Sequence, residues 1–375
     1  MRHSTHKLTI DNLNKLIGVL RDRGYEVIGP LIRDHAIAFG PVSSVDDFPA
    51  GWTADTEAGH YRLQPRADGA IFGYWVSPVS LKQYVHPPQQ RLVKIEKQNG
   101  SLHIVPETPA AVKRAFIGVR SCDLAALHVL DRVLLHDRFV DDTYAANRRD
   151  MIVVAVNCTE SAPTCFCASL GTGPKAQSGF DIALTERCGD AESEFLAEAG
   201  TETGAELLRE AGAGAAPQEW LRQAQRACGQ AASAQKRRVD AGIARQVADA
   251  QFENRRWDET GKRCLACANC TMSCPTCFCV NAEDRSDLSG AGAERWRTWD
   301  SCFTQSFSYI HGGSVRLSVK SRYRQWLSHK LARWQDQFET PGCVGCGRCI
   351  TWCPVGIDLT AEYNALSEGV VAHGK

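Results

Sequence analysis

Two stretches of this 375-residue chain carry cysteine in the same spacing, and that repetition limits the possible folds more than any other feature. Cys264, Cys267, Cys270 and Cys274 precede Pro275, and Cys343, Cys346, Cys349 and Cys353 precede Pro354. Both read C-x2-C-x2-C-x3-C-P. In two-cluster ferredoxins this run places three thiolates on a tight loop around one [4Fe–4S] cubane and sends the fourth to the other cluster. The spacing therefore predicts two clusters. Cys264, Cys267, Cys270 and Cys353 would hold the first, and Cys343, Cys346, Cys349 and Cys274 the second. The small residues Ala266, Ala268, Gly345 and Gly347 let backbone N–H groups approach sulfur, which supports the reduced charge. A pair of zinc sites fits less well, because zinc usually takes separate C-x2-C pairs.

The other cysteines point the same way. There are 17, an odd number, with none in residues 1–121, five in 122–188 and eleven in 264–353. Dense local cysteine in a reducing compartment reads as metal binding rather than cross-linking. Lys+Arg and Asp+Glu are equal at 43, so the basic excess expected of a nucleic-acid binder is missing. No apolar run approaches the length of a membrane span, and the start MRHSTHKLTIDNLNKL has no apolar signal stretch. These features predict a cytoplasmic protein with no direct membrane span.

A second motif is an internal echo. Pro163-Thr164-Cys165-Phe166-Cys167 recurs as Pro275-Thr276-Cys277-Phe278-Cys279, and Ser121-Cys122 is matched by Ser301-Cys302. Cys122, Cys158, Cys165 and Cys167 could converge on a third cluster, or they could be buried structural thiols, which are common. Cys188 and Cys228 read as structural. Cys277, Cys279 and Cys302 have no assigned role. No G-x-G-x-x-G between strand and helix, no P-loop and no H-E-x-x-H is present, and no catalytic residue is assigned. Gly171-Thr172-Gly173-Pro174 reads as a turn, and Asp123 as a helix N-cap.

The expected fold is α+β in three parts. Residues 1–190 form an α/β domain, 191–255 a helical connecting region, and 256–375 a ferredoxin-like two-cluster domain with a long helical insert. Ile10–Arg23 has helical spacing, with Leu13, Leu16, Ile17 and Leu20 on one face. Tyr25–Ile28 and Ala36–Phe39 read as short strands, the first ending at Gly29-Pro30, and 41–65 as turns. Ala115–Val119, Leu124–Leu135 and Met151–Val156 read as strand, helix and parallel strand, with Cys122 and Cys158 at the strand ends. Residues 190–250 read as helical, broken near Gly212–Pro217. Ser321–Phe338 reads as a packed amphipathic helix.

GVRSCDLAALHVLDRVLL, VAVNCTESAPTCFCASLGTGP, CLACANCTMSCPTCFC, RTWDSCFTQSF and GCVGCGRCITWCPVGID together resemble the iron–sulfur β subunits of cytoplasmic sulfhydrogenases, which are NADP-linked [NiFe] hydrogenases and sulfur reductases. The A subunit of anaerobic sulfite reductase is similar. The resemblance runs from about Tyr25 to Asp358. It implies an electron-transfer subunit between a flavoprotein NAD(P)H-binding subunit and hydrogenase or reductase catalytic subunits. The other reading is a sulfur-compound reductase acting at the N-terminal cysteines of this chain.

Overall fold

The computed structural model describes residues 4–99, 101–107, 112–188, 193–289 and 292–371. Its largest element is an eight-stranded mixed sheet. In spatial order the strands are Gly214–Ala215, Thr5–Thr9, Ser193–Ala199, Ile182–Cys188, Ile152–Val156, Arg114–Val119, Glu26–Arg33 and Ala36–Pro41. The strands from Ile182–Cys188 to Glu26–Arg33 run parallel, as the strand–helix–strand reading required.

Both faces of the parallel strands are buried, so their side chains alternate between two cores. Ile117, Ile152 and Val154 pack with Leu13, Leu16, Ile17 and Leu20 of the helix Ile10–Asp22. Phe116, Val153 and Ala155 pack with Leu124, Leu127 and Leu130 of the helix Ser121–Leu134. Thr9 and Asn12 form a capping box at the first helix. The chain thus delivers Cys122 and Cys158 to the carboxyl end of adjacent parallel strands.

Several expectations need correction. The strand from Glu26 continues through Gly29-Pro30 to Arg33, because its other edge pairs with Ala36–Pro41. The stretch 41–65 contains a hairpin, Trp52–Glu57 with His60–Pro65. Ser193–Ala199 is a strand and not a helix. It fills the gap between Ile182–Cys188 and Thr5–Thr9, and pairing with both overrides its helix-favouring Ala and Glu content. The start of that helical expectation, 190–192, lies outside the described residues. Farther on, Glu202–Glu210, Gln218–Ser233 and Ala244–Ala250 are helices, and a short strand at Gly214–Ala215 marks the predicted break.

The insert between the two cysteine runs contributes more than a helix. Val280–Ser286 and Gly292–Trp299 join Gln89–Gln98 and Ser101–Pro106 in a four-stranded antiparallel sheet. The expected helix follows as Val319–Ser328, a π-turn at His329–Arg333, and Trp334–Phe338. Tyr323, Trp326, Leu327 and Leu331 bury its inner face against Trp257, Ile350 and Ile357.

One buried ion pair joins the main sheet to the second cysteine run. Asp123 stands in the first turn of its helix, where Arg120 is the N-cap, so the capping role expected of Asp123 is not found. Its carboxylate instead accepts from Arg348 Nη2 at 2.9 Å, with both side chains almost fully buried. Arg348 Nε also donates to Ser77 O. Removing one partner strands a buried charge, at a cost of about 3–5 kcal/mol. Asp123→Ala should therefore lower anaerobic unfolding stability by about that amount, and adding Arg348→Met should recover part of it. Chemical denaturation checks this; a loss below about 1 kcal/mol in the single variant would contradict it.

Candidate iron–sulfur centre

The two runs adopt matching loops. Ala266 and Ala268 in the first, and Gly345 and Gly347 at the same places in the second, all have positive φ, between 52° and 76°. That left-handed backbone coils each run tightly and turns amides toward sulfur. Ala266 N–H donates to Cys264 Sγ at 3.4 Å, and Ile357 N–H to Cys353 Sγ at 3.3 Å.

The glycines of the second run have a further cause. A Cβ on Gly347 would stand 2.5 Å from Thr164 O, and one on Gly345 2.6 Å from the Cys167 backbone. The first PTCFC segment lies directly on this loop: Phe166 N–H donates to Gly345 O, and the Thr164 and Thr351 hydroxyls meet at 2.9 Å. At the matching place of the first run the chain carries a Cβ, on the half-buried Ala268.

The thiols sort by the crossed pattern. Cys264, Cys267, Cys270 and Cys353 line one cavity, walled by Phe303, Tyr323 and Trp326 and bordered also by Cys349. Cys267 is exposed at its mouth. Burial raises the Cys270 thiol, and Cys302, Cys264, Cys353 and Cys267 raise it further by their charge. The second group is buried throughout: Cys274, Cys343, Cys346 and Cys349 are each at most 9% exposed. Burial pushes Cys343 up to about 11, Lys330 pulls it down, and Cys346 and Cys274 push it up. Cys349 responds to Cys343, Cys346 and Cys274 in the same sense. Each run therefore sends its fourth cysteine to the other group.

No three His, Cys, Asp or Glu side chains among the described residues are close enough for one metal ion. Cys264, Cys267, Cys270 and Cys353 line a cavity instead of meeting at a point. An all-thiolate donor set of four around such a space fits a cubane, whose irons need thiolate ligands.

The N-terminal cysteines stand beside the second group. Cys165 and Cys167 each respond to Cys158 and to Cys346, and Cys122 responds to Cys346 and Cys167. Burial pushes Cys167 up to about 12, while Gln235 Nε2 donates to its sulfur at 3.2 Å. The fully buried Arg120 lies within reach of Cys158 and Cys122; its Nη2 donates to the carbonyls of Phe72 and Tyr74. Cys158 also lines a polar cavity with Arg66, Tyr74, Arg120, Glu186 and Cys188. Cys188 is exposed and Cys228 buried.

Sequence reasoning missed the basic residues. Lys330 Nζ, fully buried, stands 3.1 Å from Cys274 Sγ and 4.0 Å from Cys277 Sγ, and donates to Gly342 O at 2.8 Å. Lys82 Nζ donates to Cys277 O at 2.9 Å and lies 3.9 Å above the Trp299 ring. Both come from segments with no metal motif, and no spacing signal marks them.

This arrangement defines an iron–sulfur protein, and residues 263–357 match the 4Fe-4S dicluster domain family. Over 92% of its length the chain is 28% identical to the Sulfhydrogenase 2 subunit beta of Pyrococcus furiosus, covering 93% of that protein. No solved structure gives a significant match. No helix among the described residues is long and apolar enough to cross a membrane.

The crowding at Gly347 has a measurable consequence. Gly347→Ala should lower the thermal midpoint and increase thiol-reagent labelling of Cys165 and Cys167, by displacing the segment that carries them. Ala268→Gly should do neither. Equal behaviour of the two variants, followed by differential scanning and mass-spectrometric labelling, would contradict the reading.

Proposed function

We propose that this chain is a cytoplasmic electron-transfer subunit of a heteromeric oxidoreductase. It relays electrons between a flavoprotein NAD(P)H-binding subunit and a hydrogenase or sulfur- or sulfite-reducing catalytic subunit. The observation that carries this is the crossed grouping of the eight thiols, one set at the surface and one buried behind it. Such a pair is a path for electrons from outside to inside. In this reading Cys264, Cys267, Cys270 and Cys353 hold the outer [4Fe–4S] cluster, and Cys343, Cys346, Cys349 and Cys274 the inner one. When bound, these clusters supply one-electron storage at low potential.

The protein's own part is to hold the thiolates, exclude water from the inner site and place amides and cations against sulfur. Cys122, Cys158, Cys165 and Cys167 extend the path as ligands of a third cluster beside Cys346. The whole-length likeness to a sulfhydrogenase beta subunit supports this role, and a subunit so named works with partner chains. The division into 1–190, 191–255 and 256–375 belongs to the same proposal.

A second reading has its own observation: Cys158 lines a solvent-open polar cavity beside the buried Arg120. A sulfur compound reduced there would make the chain a reductase in its own right. Turnover of polysulfide by the isolated chain with a reduced dye would favour that reading and sink the pure relay.

The relay makes a quantitative claim. Cys346→Ala should remove one cluster and stop electron flow from the flavoprotein, leaving dye-linked activity of the catalytic partner intact. Iron per chain should be about twelve in the wild type and about eight in a Cys165→Ser, Cys167→Ser double variant. A wild-type value near eight that the double variant leaves unchanged would remove the third cluster.

A further inference from the structure

The inner thiol group poses an electrostatic problem that the outer one does not. A [4Fe–4S] centre on four thiolates is an anion, and reduction adds one more negative charge. Burial away from water opposes that step. Left uncompensated, the inner cluster would be harder to reduce than the outer one, and electrons arriving at the surface would stop there.

Two buried ammonium groups meet at this point from distant parts of the chain. Lys330 and Lys82 are 4% and 3% exposed. Lys330 Nζ contacts Cys274 Sγ, the Thr276 hydroxyl and the Gly342 carbonyl. Lys82 Nζ contacts the carbonyls of Cys277 and Thr271. Among the described residues neither amine has a carboxylate partner, although buried charges are normally paired. Lys330 faces the Cys274 sulfur directly, and Lys82 stands behind it on the Cys277 and Thr271 carbonyls.

The backbone is shaped for this contact. Lys330 sits in the π-turn His329–Arg333 that interrupts the helical stretch 319–338, and Gly342 N–H closes back on Lys330 O at 2.8 Å. Single π-turns inside helices recur at functional sites. Arg348, the other cation of the inner loop, is already neutralised by Asp123. Around the outer group Arg322 commits its Nη1 to Phe303 O and makes no hydrogen bond to sulfur.

We propose that Lys330, backed by Lys82, holds the inner cluster's potential high enough for it to draw electrons from the outer cluster, so that electrons pass inward toward Cys346 and the N-terminal cysteines. The step is one electron gained by the inner centre and one lost by the outer, with no bond made or broken. The inference rests on the relay reading of the two clusters.

The experiment is an anaerobic redox titration of the full chain with dithionite and mediators, followed by electron paramagnetic resonance. The signal absent from Cys346→Ala identifies the inner cluster. In Lys330→Met that signal should move to more negative potential, with its reduced-to-oxidised ratio falling at least about tenfold at a fixed solution potential; a charge-assisted hydrogen bond is of that size. The outer signal should not move. Lys330→Gln keeps a donor without the charge and should fall between. If Lys330→Met fails to load iron, Lys82→Met carries the same test with a smaller shift. An unchanged inner potential in the loaded variants, or a shift of the outer signal instead, overturns the proposal. A wild type with no reducible iron–sulfur signal overturns the relay reading itself, which is a separate result.

Discussion

Burying anionic sulfur is the constraint on which the rest of this structure depends. Eight thiols sit on two short coiled loops, and each loop gives its fourth cysteine to the other. Neither group is complete without the far run, so the long insert between Cys274 and Cys343 must fold back to close both. The insert does so by adding two strands to the sheet of Gln89–Gln98 and Ser101–Pro106 and by packing its helix against the outer cavity. Amides beside the positive-φ positions and the Lys330 amine, brought from elsewhere in the chain, stand against these sulfurs.

The same constraint explains how the two halves meet. The Asp123–Arg348 pair ties the first turn of a main-sheet helix to the second loop, and the PTCFC segment lies on Gly345 and Gly347 of that loop. The main sheet is therefore the platform that carries a further group of thiols to the second cysteine run. Its parallel strands deliver Cys122 and Cys158 there for the reason that α/β folds place ligands at strand carboxyl ends.

Much of this was legible in the sequence where spacing alone decides the outcome. The grouping of the first run's three thiols with Cys353, the helix from Ile10 and the parallel pair Arg114–Val119 and Ile152–Val156 follow from period and pattern. What was hidden depended on partners far away in the chain. Ser193–Ala199 carries helix-favouring residues but is claimed by two neighbouring strands, and Glu26–Arg33 passes through Gly29-Pro30 because a hairpin supports it. Asp123 sits where a cap would be expected, yet its partner is 225 positions away. Lys82 and Lys330 resemble any other lysines until the fold buries Lys330 against the Cys274 sulfur and Lys82 against the Cys277 carbonyl.

The central claim is that the thiols hold iron–sulfur clusters that store and pass electrons. It is tested most directly by quantifying iron, acid-labile sulfide and zinc on the anaerobically purified chain, together with its visible spectrum before and after dithionite. The account predicts at least about eight irons per chain, matching sulfide, and a broad visible absorption that dithionite bleaches. A colourless protein with zinc in place of iron, and no change on reduction, would contradict it.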